Sequence, residues 1–175
     1  MKEILSAGQI ALSVKRLAHQ MIENENSLAA ICLIGLQPRG VFFSNRIAHA
    51  LQTLLPNDQL NYGKLDITFY RDDVRKELHL ANKTDINFNI ENKRVILVDD
   101  VLYTGRTIRA ALDALLDFGR PAKVELCVLI DRRFSREFPI QPDFVGKSID
   151  TILSQKVKVH WQETEGKDFV ELLGD

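Results

Sequence analysis

Cysteine is scarce in this chain, with two in 175 residues. Cys32 and Cys127 each lie inside an apolar run, AAICLIG and VELCVLI. That placement predicts buried strand thiols in a reducing compartment, and argues against a disulfide framework or a cysteine metal site. Long hydrophobic stretches are missing too. No apolar run approaches the roughly 18 residues that a membrane span requires. The first residues are polar where a signal peptide would carry an apolar core. The expected location is the cytoplasm, with no membrane partner. Neither sign of charge dominates: the formal net charge is −1. Bulk attraction to nucleic acid is thereby excluded, which leaves room only for a local basic patch. The G-x-x-x-x-G-K-[ST] spacing of a Walker A phosphate loop is absent. So are internal repeats, low-complexity tracts and linkers. With 45% hydrophobic and 27% charged residues, the chain reads as a single domain over 1–175 with a substantial core.

What is present is concentrated between Val95 and Gly119, VILVDDVLYTGRTIRAALDALLDFG. Four apolar residues, Val95 to Val98, run into two carboxylates, Asp99 and Asp100. The short loop Thr104-Gly105-Arg106-Thr107 then opens a helix with Ile108, Ala111, Leu112 and Leu115 on one face. This order predicts the strand–loop–helix half of a parallel α/β unit, with the loop in the usual ligand position at the strand's carboxyl end. Free N–H groups at the helix start, the close approach allowed by Gly105 and the hydroxyls of Thr104 and Thr107 suit a phosphate. Carboxylates beside a phosphate would repel it, so Asp99 and Asp100 should face something else. Ribose hydroxyls fit, as does a magnesium ion reached directly or through water.

The flanking segments repeat this logic. Residues 7–25 place Ile10, Val14, Leu17, Ala18 and Met21 on one helical stripe, with Lys15, Arg16 and His19 as a basic cluster between them. Ala29 to Gly35 reads as a buried strand. It leads through Leu36-Gln37-Pro38-Arg39-Gly40 into a second helix with Val41, Ile47, Ala48 and Leu51 for the core, and Arg39 is placed to meet anionic oxygen. Leu65 to Tyr70 reads as a strand followed by Arg71-Asp72-Asp73. From there to about Glu91 the chain is polar, with Lys76, Glu77, Asn82, Lys83 and Asp85 and few apolar anchors, which suggests a mobile lid. Lys123 to Ile130 is a further buried strand. Val157–Trp161 and Asp168–Leu172 are expected to pair antiparallel around Glu165-Gly166-Lys167.

The pattern VILVDDVLYTGRT resembles the phosphoribosyl-pyrophosphate (PRPP) motif of type I phosphoribosyltransferases. The segments HQMIEN, LDITFYRDD, GRP and REFPIQPDFVGK, in order around it, are similar to the PyrR group, from about Ile4 to Leu173. That group comprises bifunctional pyrimidine-operon regulators that also act as uracil phosphoribosyltransferases. The resemblance implies an α/β fold of the type I kind: a mostly parallel central sheet flanked by helices, a small C-terminal or hood element and a lid loop. It implies the reaction of uracil and PRPP to UMP and pyrophosphate, with Mg²⁺, in a homodimer or larger homo-oligomer. Asp99, Asp100 and Arg39 would be catalytic, the two aspartates also serving Mg·PRPP. Val101, Leu102, Tyr103, Thr104, Gly105, Arg106 and Thr107 would bind the nucleotide, with Gln37, Pro38, Gly40 and Arg71 at the pyrophosphate. Phe144 and Val145 would stack on and read the base. Purine-using relatives often carry an aspartate where Tyr103 stands and a lysine where Asp131 stands, so a pyrimidine is expected. The family also implies an mRNA leader as partner, through Arg16, His19, Arg136 and Lys147. Asn24, Ser135 and Gln141 replace basic or imidazole groups on that face, and Arg132-Arg133 comes with a one-residue insertion. Two alternatives stay open: an RNA-binding regulator with little catalysis, and an enzyme for another base. So does the isomer at Gln37–Pro38, where the family often holds a cis peptide but a trans proline opening a helix is common.

Overall fold

The computed structural model describes residues 2–25, 27–72 and 83–174. The elements in chain order are β1 (Lys2–Leu5), α1 (Ala7–Ile22), β2 (Ile31–Leu36), α2 (Gly40–Leu54), β3 (Asn61–Leu65), β4 (Arg94–Leu102), α3 (Arg106–Leu115), β5 (Lys123–Arg133), β6 (Phe144–Asp150), β7 (Lys156–His160), α4 (Gln162–Glu165) and β8 (Phe169–Leu173). Five strands form one sheet in the order β3-β2-β4-β5-β6, every neighbouring pair parallel. The order reverses between β2 and β4, and the loops that leave these two strands face each other across the crevice where α/β sheets bind ligands. A second, antiparallel sheet, β1-β8-β7, joins the two ends of the chain.

Strand periodicity sorts the core into two layers. Ile31, Leu33, Ile96, Val98, Cys127 and Leu129 pack with α1 and α2 on one face. Cys32, Ile34, Val95, Leu97, Leu126 and Val128 pack with α3 on the other. Both cysteines are buried and free, as their apolar surroundings require. Ser6 opens α1 through a capping box: its side chain accepts from the Gln9 amide, and the Gln9 side chain accepts from the Ser6 amide. Such a box satisfies two of the donors that a helix start leaves unpaired. The expected α1 stripe is buried throughout. Among the described residues no helix is long and apolar enough to cross a membrane.

Several expectations need correction. LDITFY is not one strand: β3 ends at Leu65, and Thr68–Tyr70 is a 3₁₀ turn. The strand proper is NYGKL, whose polar character hid it; it is an edge strand whose outer side is met by Asp85 through paired backbone hydrogen bonds with Lys64. Residues 83–91 therefore form no free lid. Ile90 is fully buried, Ile86 and Phe88 pack on the α3-side core, and Thr84 Oγ1 accepts from the Asp66 amide. Lys76, Glu77 and Asn82 lie outside the described residues. On α3, Leu112 is surface-exposed rather than part of the core stripe. The closing antiparallel pair forms as expected, with β1 as an additional strand.

Candidate active site

The crevice is built from the ends of β2 and β4. β4 carries its apolar run straight into Asp99 and Asp100, so both carboxylates are buried at the strand's end, each about 8% exposed. Asp99 Oδ1 accepts from the Asp100 amide at 2.9 Å, and Asp100 Oδ2 accepts from Arg39 Nε at 3.2 Å. Burial raises the pKa of Asp99 well above the ordinary 3.8, with repulsion from Asp100 adding to it; Arg71 nearby pulls it back. Burial also raises that of Asp100, against the pull of Arg39. Between the ordinary value and the raised ones, the folded chain binds protons that the unfolded chain has lost. Stability contributed by these two groups is thus present at low pH and lost as pH rises through the raised values. Asp99→Asn is therefore expected to gain melting temperature relative to the parent as pH goes from about 4 to about 7, and to gain nothing at the acid end. A flat difference across that range in differential scanning fluorimetry would contradict it.

Gly40 makes the close approach possible. A Cβ there would lie 2.6 Å from the Val98 carbonyl oxygen and 3.0 Å from Asp99 Oδ1. These are backbone and buried atoms with nowhere to go. Gly40→Ala is expected to destabilise by about 1–3 kcal/mol, the usual cost of overpacking, and to push Asp99 out of place. A melting temperature equal to that of the parent would show that the contact relaxes freely. The Gln37–Pro38 peptide in the same loop is cis.

Across the crevice, Gly105 starts α3 with φ +91, a left-handed conformation that favours glycine, and as the capping residue it brings no side chain to the helix start. The Arg106 amide donates to Thr104 Oγ1 at 3.4 Å, a long bond that an anion at the start of α3 can displace. Asp99, Val101, Leu102, Tyr103, Thr104, Gly105, Arg106 and Thr107 line one cavity of about 330 Å³ together with Arg71 and Ile108. The Arg106 side chain, however, turns out of this nest. Its Nε donates to Glu137 at 2.6 Å and its Nη1 to Asp72 at 3.2 Å. What Arg106 offers a phosphate is its backbone.

Arg136 organises the rim. It donates to the carbonyls of Ile140 (2.9 Å), Tyr103 (2.7 Å) and Arg132 (2.8 Å) and is paired with the Asp131 carboxylate. The Glu137 and Phe138 amides in turn donate to the Thr104 carbonyl. One arginine thereby fastens the 136–140 loop over the loop that follows β4. Arg132 is buried, donates to Thr151 Oγ1 and the Gln155 carbonyl, and stacks 3.9 Å from the Tyr103 ring centroid. These residues were missed as a group because their signal is register: Leu102 pairs with Asp131 across β4 and β5.

Phe144 and Val145 are not brought to the cavity. They stand in β6 opposite Cys127 and Val128, four and three residues below the Asp131–Ser148 level of the mouth. At strand rise that is about 13 Å for Phe144 and about 10 Å for Val145. Phe144 packs with the α1-side core and Val145 with the α3-side core. Arg16 donates to the carbonyls of Val145 and Gly146 at 2.9 and 2.8 Å, covering the open edge of the sheet. Lys147 Nζ donates to the Ile4 carbonyl. Of the four basic residues expected on an RNA face, Arg16, Arg136 and Lys147 thus hold internal carbonyls, and His19 lies exposed on α1.

The family model of the phosphoribosyl transferase domain matches residues 1–164. The chain is 47% identical to the bifunctional protein PyrR of Ligilactobacillus salivarius, over 98% of this chain and 97% of that one. It is 48% identical to the bifunctional protein PyrR of Chloroflexus aurantiacus, over 98% and 94%. Among solved structures, a hypoxanthine phosphoribosyl transferase of Trypanosoma cruzi superposes with a TM-score of 0.72 at 20% identity, covering 99% of this chain and 91% of that one. A hypoxanthine phosphoribosyltransferase of Staphylococcus aureus gives 0.71 at 20% identity, covering 97% and 90%. At that identity the two structures speak to the fold.

Proposed function

This chain belongs to the phosphoribosyl transferase domain family, in its PyrR group, and from that premise we propose that it converts uracil and PRPP to UMP and pyrophosphate. The observation that carries the proposal is the facing arrangement at the switch point. An uncapped helix start stands on one side, Arg39 on the other, and two buried carboxylates lie between them. A phosphate at each end and a sugar in the middle is the shape of PRPP.

In this reading the 5′-phosphate takes the amides of Gly105 to Thr107, displacing the long Arg106–Thr104 contact, and the Thr104 and Thr107 hydroxyls. The ribose hydroxyls donate to Asp99 and Asp100. Cleavage of the bond from C1 to pyrophosphate builds positive charge on the ring, and the two largely buried carboxylates offset it. The raised pKa values place those carboxylates where charge is costly to hold until a cation shares the site. Arg39 and Arg71 meet the leaving pyrophosphate. Pyrophosphate departs with the electron pair of its bond to C1, N1 of uracil bonds to C1, and the N1 proton passes to solvent. The residues fit magnesium: Asp99 and Asp100 offer hard anionic oxygens, and two carboxylates are too few to fill its shell, so PRPP oxygens and water would complete it. When bound, the metal supplies charge neutralisation at the pyrophosphate. Among the described residues no group of three or more acidic, histidine or cysteine side chains forms a metal site by itself, in keeping with an ion that arrives with its substrate.

Base choice falls to the mouth, where Tyr103, Asp131 and Arg136 stand. With Asp131 already paired to Arg136 and Tyr103 backed by Arg132, neither position offers a 6-oxopurine the partners suited to it. Uracil is expected to be turned over with kcat/KM at least about 10³-fold above guanine or hypoxanthine, the scale set by unmatched buried polar groups. Comparable rates with guanine in a PRPP-dependent assay would overturn the pyrimidine assignment.

The relatives' shared name, bifunctional, speaks for a second activity, and the resemblance to the PyrR group makes an RNA-binding regulator that responds to UMP our reading of it. On this chain such a face would draw on Lys15, Arg16, His19, Arg133 and Lys147, all exposed. Of these, Arg16 and Lys147 also donate to backbone carbonyls and Arg133 pairs with Asp150, while Arg136 is tied to the rim. Binding of a pyrimidine-gene leader RNA should weaken steeply with salt in proportion to the phosphates contacted. Affinity that does not change with salt would speak against it. We also take the chain to act as a single domain in a cytoplasmic homo-oligomer, which sedimentation of the purified protein would test.

A further inference from the structure

Arg39 is held from two sheets. It leaves the start of α2, where its own backbone is helical and its side chain caps nothing. Its Nε reaches Asp100 on β4 at 3.2 Å. Its Nη2 donates to the Val159 carbonyl on β7, and its Nη1 lies 3.9 Å from Glu165 Oε1 at the end of α4. Glu165 is itself anchored by its other oxygen, which accepts from the Trp161 amide at 3.0 Å and from the Thr164 hydroxyl. Those hydrogen bonds, the Thr164 one first, hold its pKa below the ordinary carboxylate value. One oxygen thus closes the short helix while the other faces the arginine.

We propose that Glu165 is a positioning residue for Arg39, setting where its guanidinium stands for the pyrophosphate. The inference rests on the reading of Arg39 as a pyrophosphate partner. An arginine side chain has many rotamers, and a cation that must be ordered by its ligand binds that ligand more weakly. Asp100 alone would draw Arg39 down onto the carboxylate pair. Glu165 and the Val159 carbonyl pull from the opposite side. The antiparallel sheet at the chain's ends thereby becomes part of the catalytic apparatus without touching substrate.

The experiment is calorimetric titration of pyrophosphate with Mg²⁺ into the full-length protein, its Glu165→Gln and Arg39→Gln variants and the double variant, beside their melting curves. Glutamine keeps an acceptor for the Trp161 amide and removes the charge. Glu165→Gln is expected to weaken pyrophosphate about three- to fivefold, as suits a partly exposed ion pair. Arg39→Gln should weaken it by about ten- to a hundredfold. Adding Glu165→Gln to Arg39→Gln should change nothing further, which a merely structural role would not produce. An equal loss in both backgrounds overturns the inference, as does no loss in the single variant while Arg39→Gln still weakens binding. Parent-like binding by Arg39→Gln overturns the reading of Arg39 itself. Should Glu165→Gln not fold, Thr164→Val frees the carboxylate to turn away. It should then weaken pyrophosphate about twofold, and unchanged affinity would overturn the inference.

Discussion

The double variant Asp99→Asn, Asp100→Asn is expected to lose about 10³-fold or more in turnover and to melt no lower than the parent protein. The loss follows from removing two negative charges next to a ring that becomes cationic, where single preorganised groups are each worth 10²–10³. The melting result follows from burial. Two carboxylates side by side at a strand end are costly to ionise, which their raised pKa values express. Asparagine keeps the size and the acceptor for the Asp100 amide and removes the repulsion. Against this stands the lost partner of Arg39, whose side chain is 39% exposed and keeps the Val159 carbonyl. Steady-state kinetics and thermal melting measured together decide the matter. Near-parental turnover removes the carboxylates from the mechanism, and a sharply lower melting temperature makes them structural.

The second large effect is expected at Arg136. Arg136→Ala removes the clamp on three carbonyls and strands the Asp131 carboxylate, itself only 8% exposed. Breaking a buried pair from one side costs roughly 3–5 kcal/mol because the remaining charge is left uncompensated. With the 136–140 loop released from the loop after β4, uracil turnover should fall as well. The contrast is Arg136→Ala with Asp131→Asn, which removes the stranded charge and should recover much of the stability but not the activity. A single variant that melts with the parent would show that Arg136 is a surface cation after all, available to RNA as its family resemblance implies.

That residue shows where the sequence stops being readable. Arg136 is basic, lies in a polar segment and sits beside other cations, all properties of a solvated face. Its four acceptors come from Asp131, Arg132, Ile140 and Tyr103, and only the fold brings the last of them near. Asp99, Asp100 and the Thr104–Thr107 nest were legible because one strand, one loop and one helix start carry them in a row. Arg39 was legible as a cation at a helix start. Its grip on Val159, 120 residues along the chain, was not. Phe144 and Val145 failed for a different reason: a stacking aromatic and a core aromatic look alike until the register of β6 on β5 is known. β3 went unseen because an edge strand covered by Lys64–Asp85 pairing needs no apolar alternation. The two-layer core, by contrast, is written in the alternation of β2, β4 and β5.

Trp161 has a spectroscopic use. It is the single tryptophan of the chain and is fully buried. Its ring is stacked on Phe43 at 6.2 Å, and the Arg46 guanidinium lies 4.6 Å from its centroid. Phe43 and Arg46 belong to α2, whereas Trp161 belongs to the turn between β7 and α4. The indole therefore sits in the seam between the parallel sheet's helical layer and the small antiparallel sheet. Its emission is a natural optical gauge of whether the two remain in register, with no label required. If the seam opens before the main sheet melts, fluorescence will shift at a denaturant concentration where far-ultraviolet circular dichroism is still native, and coincident transitions would mark a single cooperative unit.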